Sequence, residues 1–87
     1  DGAAIQELER QIQENPVPAE PYLALHRIHL KQGRVDEAAG VMSRYFQQEK
    51  DANERCRHFR TLSPRTTRAL EPGLIHELDR ACRARRP

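Results

Sequence analysis

Apolar side chains recur along this chain at steps of three and four with charged residues between them, a spacing that gathers them on single faces of helices with 3.6 residues per turn. The clearest pair of runs lies between Ala19 and Asp51. In the first, Tyr22, Leu25, Ile28 and His29 share a face. Pro21 suits a first helical turn, where its missing N–H leaves no bond unmade, and Gly33 suits the left-handed position just beyond a helix end. A helix from about Glu20 to Gln32 is predicted. In the second run Val35, Ala38, Ala39, Met42, Tyr45 and Phe46 repeat the spacing, which predicts a helix from near Val35 to near Glu49. So short a connection between them imposes an antiparallel hairpin. Ala38 and Ala39 offer small side chains opposite Leu25 and Ile28, letting the backbones approach, while Tyr22, Met42 and Tyr45 fill the wider far end.

The flanks carry the same period in shorter pieces. Ile5, Leu8 and Ile12 predict an amphipathic helix over residues 2–15, ended by Asn15-Pro16-Val17-Pro18 because proline bars the residue before it from helix. Asp51 to Leu62 reads as a short helix, drawn as a continuation of the one before it, with Cys56 and Phe59 inward and Arg55, Arg57 and Arg60 outward. Ser63-Pro64 reads as an N-cap followed by a first-turn proline, starting a brief helix from Arg65 to Leu70. After Glu71-Pro72-Gly73, the residues Leu74, Ile75, Leu78 and Cys82 form a last amphipathic face, before a frayed Arg85-Arg86-Pro87 tail. Nothing in the chain reads as strand, so the fold class is all-α.

The hairpin resembles the tetratricopeptide repeat. Tyr22, Leu25, His29, Gly33, Asp36-Glu37-Ala38 and Met42 stand at that family's spacings: early aromatic, leucine, bulky residue, turn glycine, acidic-acidic-alanine start and large apolar residue. His26 replaces a residue that is usually very small, Tyr45 a usual alanine and Lys50 a frequent proline, departures that imply a slightly spread repeat. Ala4, Leu8, Ile12 and Pro16 match the second helix of a preceding unit, in phase with a period of about 34 residues. The resemblance covers about residues 2–50. It implies antiparallel hairpins of a right-handed solenoid: residues 1–18 the second helix of a partial repeat, 19–52 a complete repeat and 53–87 a non-repeating helical cap with a basic end. A third unit would run its first helix through Pro64, so the period stops there. The cap must then supply core through Phe59, Leu62, Leu74, Ile75 and Leu78, since an array needs its last apolar face covered.

Eighty-seven residues allow one domain with a modest core. The chain opens on Asp1, so an excised or processed fragment of a larger scaffold or adaptor is expected. No apolar run approaches a membrane span and no signal-peptide pattern is present. Charge is uneven: residues 1–54 hold six Lys or Arg against ten Asp or Glu, whereas residues 55–87 hold nine Arg against three acids. Arginine outnumbers lysine thirteen to two, which favours bidentate contacts with carboxylate or phosphate, although a solvated coding bias accounts for it equally well. Cys56 and Cys82 lie far apart without metal spacing, which favours reduced, partly buried thiols and an intracellular setting, cytoplasmic or nuclear.

Candidate chemistry is sparse. His26, His29, His58 and His76 with the two cysteines do not fall in the tight pairs that zinc requires, which favours ordinary histidines over a metal site. No phosphate loop, nucleophile elbow or paired carboxylates are visible, so neither an enzyme nor a cofactor is expected. In tetratricopeptide arrays the first helix of each hairpin lines a concave peptide groove, and by that resemblance the groove residues are Glu20, Leu23, Arg27, Leu30 and Lys31. Leucines interleaved with cations suit a protein ligand, peptide or helix, with apolar anchors and acidic flanks. Equally, Leu23 and Leu30 pack against the preceding helix and the cations are solvated. That family's carboxylate-gripping branch places lysine and asparagine where this chain has Leu23 and Ala24. Two other uses compete: nucleic-acid binding by Arg55, Arg57, Arg60, Arg65 and Arg68, and self-association of the acidic half with the basic end. The related pentatricopeptide family shares the Gly33 to Ala38 turn and reads RNA, but Leu23 and Ala24 again replace its small polar readers. Ser63-Pro64 reads as a phosphorylation site or simply as a helix cap.

Overall fold

The computed structural model describes residues 2–84, and the Arg85-Arg86-Pro87 tail and Asp1 lie outside them. It contains six helices and, among the described residues, no strand: α1 Gly2–Glu14, α2 Glu20–Lys31, α3 Val35–Gln48, α4 Ala52–Arg60, α5 Pro64–Ala69 and α6 Pro72–Arg83. The all-α class and the element order follow the hydrophobic pattern. One junction differs: Glu49 and Asp51 are extended, and the Asp51 carboxylate accepts from the backbone N–H of Asn53 at 2.8 Å and of Glu54 at 3.3 Å. α4 is therefore a separately capped helix and not a continuation of α3, because an aspartate just ahead of a helix serves its unpaired donors better than one inside it.

The remaining ends use the expected devices. Gly33 has φ of 76°, the left-handed conformation that lets Arg34 N–H return to the His29 carbonyl at 2.8 Å. Asp36 and Glu37 sit in the first turn of α3, where negative charge offsets the helix dipole. Ser63 Oγ accepts from Thr66 N–H at 3.3 Å, and prolines open α5 and α6.

α2 and α3 form the antiparallel hairpin, with α1 laid against α2, α5 against α3, and α6 against α4. The core runs through Ile12, Tyr22, Leu25, Ala39, Val41, Met42, Tyr45, Phe46, Leu70 and Leu78. Tyr22 and Tyr45 meet edge to face at 5.7 Å, and Tyr45 meets Phe46 at 5.3 Å, filling the wide end of the hairpin. The inward face of α2 is rotated from the expected one: Tyr22, Leu25, His26 and His29 are buried, whereas Ile28 is only half-buried. The cause is α5. His26 Nε2 lies 2.7 Å from the hydroxyl of fully buried Thr66, so His26 joins the hairpin to α5. Phe59, Leu62, Leu74 and Ile75 pack partly buried against the core and Leu78 is fully buried, so the last three helices do contribute core.

The cysteines overturn their expectation. Cys56 of α4 and Cys82 of α6 form a disulfide across a Cα–Cα distance of 5.3 Å. Two positions 26 residues apart on different helices carry no pairing signal in the sequence, and only the docking of α6 on α4 brings them together. Arg55, expected outward, is also drawn in: Nη2 donates to Glu77 at 3.1 Å, and Nε is buried with no hydrogen-bond partner among the described residues.

Candidate functional site: the outer face of α2

Helix α2 touches α1 on one side and α3 on the other, which leaves a stripe of its surface uncovered. Ala24, Arg27, Ile28, Leu30 and Lys31 line a depression of about 490 Å3 there. A second hollow of about 440 Å3 lies where α2 faces α4 and the turn into α5, lined by Leu23, His26, Arg27, Arg57, His58, Thr61, Leu62 and Ser63. Arg27 lines both, so the two hollows adjoin at that side chain. The apolar members are half-buried, and Arg27 and Lys31 are exposed with no ion-pair partner among the described residues.

Of the five residues expected in a groove, Leu23, Arg27, Leu30 and Lys31 each line one hollow or the other, while Glu20 is exposed at the start of α2 and lines neither. Leu23 packs partly against the core and also lines the second hollow, and Leu30 lines the first depression beside Ile28.

Of the five arginines of the basic end, Arg57 and Arg60 line one cleft and the other three do not join it. Arg57 joins the second hollow and pairs with Glu54, Arg55 is engaged by Glu77, and Arg60 donates to the Cys82 carbonyl at 3.3 Å. Arg65 and Arg68 are exposed on α5, away from both hollows.

Two buried histidines form the floor of the second hollow, and sequence periodicity missed both. Burial pushes the His26 imidazole below its ordinary pKa, and the neighbouring Arg27 charge adds to the shift. Burial likewise lowers His58, helped by Arg57 and opposed by Glu54, Glu49 and Glu20. His58 stacks edge-on to Tyr45 at 5.0 Å. Its position two residues after Cys56 put it on a different face of α4, and α4 buries two faces because α3 and α6 sit on either side of it. Burial also raises the Tyr45 hydroxyl, with Glu49 accepting its hydrogen at 3.2 Å. The one signal available for His26 was its size at a close helix contact, which demanded a polar partner.

Among the described residues, no group of three or more His, Cys, Asp or Glu side chains is placed to hold a metal ion. No helix among them is long and apolar enough to cross a membrane. No protein-family model, curated protein or solved structure matches this chain. The functional reading therefore stands on the geometry of α2 and its neighbours.

Proposed function

We propose that this chain is a non-enzymatic protein-interaction module of tetratricopeptide-like architecture, holding an amphipathic, acidic segment of another protein along α2. The observation that carries this reading is the double hollow joined at Arg27: half-buried Ala24, Ile28 and Leu30 offer apolar contact, while Arg27, Lys31 and Arg57 supply positive charge along its length. Apolar anchors set affinity in such a groove, and complementary charge sets orientation and partner choice. The repeat-like reading draws support from α2 packing on both α1 and α3, and from the Arg44–Glu9 pair that ties α1 to α3 at 3.0 and 3.1 Å.

Nucleic-acid binding has less support, because Arg55 and Arg57 pair with Glu77 and Glu54, and Arg65 and Arg68 do not line the cleft that Arg57 and Arg60 share. Fluorescence anisotropy with a labelled helical peptide of leucines and glutamates in i, i+4 register tests the proposal. Binding that is lost in Leu30→Asp and weakened in Arg27→Glu, with the circular dichroism of both variants unchanged, is the expected result. Equal binding by wild type and Leu30→Asp, or binding of single-stranded RNA that falls steeply with salt while the peptide is ignored, overturns it. Sedimentation at low and high salt, run alongside, reports whether a second copy occupies the groove.

A further inference from the structure

Helix α6 is held to the molecule in an uneven way. Its main neighbour is α4, reached through the Cys56–Cys82 bridge, the Arg60 hydrogen bond to the Cys82 carbonyl and the Arg55–Glu77 pair. Leu78 is fully buried beneath it, with Leu74 and Ile75 partly buried beside the core.

Beside the bridge lies a cleft of about 400 Å3 lined by Asn53, Cys56, Arg57, Arg60 and Thr61. Both cysteines are buried, and Cys56 is the one that lines this space, which is large enough for a small molecule. Arg60 has no carboxylate partner among the described residues and Arg57 has only Glu54, so the cleft carries an excess of positive charge. The attacking species in thiol–disulfide exchange is a thiolate, and cations nearby concentrate anionic reagents and stabilise the thiolate that leaves.

We propose that the Cys56–Cys82 bridge is a reducible clasp on α6, and that the arginine-lined cleft beside Cys56 binds the low-molecular-weight, carboxylate-bearing thiol that opens it. The thiolate attacks Cys56 Sγ, the Cys56–Cys82 S–S bond breaks, and Cys82 leaves as a thiolate that takes a proton from water. A second thiolate attacks the reagent's sulfur in the mixed disulfide, releasing Cys56 thiolate and the reagent's own disulfide. Two reagent thiols thus supply the two electrons that reduce the bridge. Reduced, α6 keeps only non-covalent contacts with α4 and lifts more readily, uncovering Leu78, Leu74 and Ile75.

The test uses the intact oxidised chain with glutathione, an anionic thiol, and cysteamine, a cationic one. Each rate of reduction, counted by alkylation and mass spectrometry, is divided by that thiol's rate against a small uncharged disulfide. At low salt the corrected rate for glutathione should exceed that for cysteamine about three- to tenfold, a preference that shrinks with salt and in Arg57→Gln, which leaves the Arg60 bond to the Cys82 carbonyl in place. The variant's rate with uncharged mercaptoethanol should stay near that of wild type, showing that the substitution alters charge and not access. Hydrogen exchange should show α6 losing protection on reduction before α2 and α3 do. Equal corrected rates, reduction only in denaturant, two free thiols in the chain purified without reductant, or unchanged α6 protection would each overturn the proposal.

Discussion

The hairpin and the cap reach burial by different physics. Between α2 and α3, Leu25, Ala38, Met42, Tyr45 and Phe46 are buried by direct apolar interlock, and the connection between the helices is too short to permit another arrangement. In the cap, α4, α5 and α6 are short, and beside the apolar burial of Leu70 and Leu78 they depend on devices that act one at a time: the Asp51 and Ser63 caps, the His26–Thr66 hydrogen bond, the Arg60 bond to Cys82 and the disulfide. A region with a continuous apolar seam tolerates the loss of any one polar contact. A region assembled from single fastenings does not, and its stability follows whichever fastening is removed.

The sharpest way to break this comparison is to place a charge where the two regions meet. Leu78→Asp puts an unpaired carboxylate under α6 and is expected to cost more than about 4 kcal/mol, unfolding the chain or driving its association. A soluble, fully helical monomer of that variant, by circular dichroism and sedimentation, would contradict it.

Next in size is the bridge. Cys56→Ser/Cys82→Ser removes a crosslink across 26 residues and should lower stability by roughly 3 kcal/mol in denaturant titration without reductant. Leu25→Ala should lower it by a similar amount, about 2 to 5 kcal/mol. The two separate in hydrogen exchange, where the serine variant should loosen α6 first and the alanine variant the whole chain.

The polar joint comes third. Thr66→Val leaves His26 buried without its partner and should cost about 1 to 3 kcal/mol, part of which His26→Leu in the same chain should restore. No recovery in the double variant would mean that the packing of Thr66, and not its hydrogen bond, fastens α5.

Acidification sharpens the comparison further. Both His26 and His58 are held below the ordinary histidine value of 6.5 in the folded chain, so the unfolded chain binds protons first as pH falls. Their contribution to stability is complete above that value and is lost as pH drops below it toward the folded-state values. The urea midpoint should therefore fall between neutral pH and the carboxylate range, and less so in a His26→Leu/His58→Phe chain. The smallest effect belongs to the surface. Arg44→Ala removes an exposed pair with Glu9 and should cost about 0.5 kcal/mol or less, because solvent screens it.

Much of the fold was legible as periodicity, and the errors fall where a polar residue sits inside. Tyr22, Leu25, Ala38, Ala39, Met42, Tyr45 and Phe46 stood at buried positions by spacing alone, as Leu78 did in the cap. His26, His58 and Thr66 did not, because a polar side chain is buried only when another element brings it a partner or covers it, and periodicity contains no information about that element. The outer face of α2 was half legible. Leu23, Arg27, Leu30 and Lys31 could be placed on one helix, but the second hollow needed Arg57, His58 and Leu62, which lie some 30 residues away in sequence.

The linear pattern determined where helices start and stop, because caps, prolines and the turn glycine act over three or four residues and need nothing distant. It also determined that α2 and α3 pair antiparallel, because their connection is short. Only the tertiary structure decided that α5 seats on α3 and bonds to His26, that α6 lies on α4, and that Cys56 meets Cys82. Those pairings depend on which of several equally apolar faces reach one another once the hairpin has formed, a choice made by shape and by a few polar contacts that leave no periodic trace along the chain.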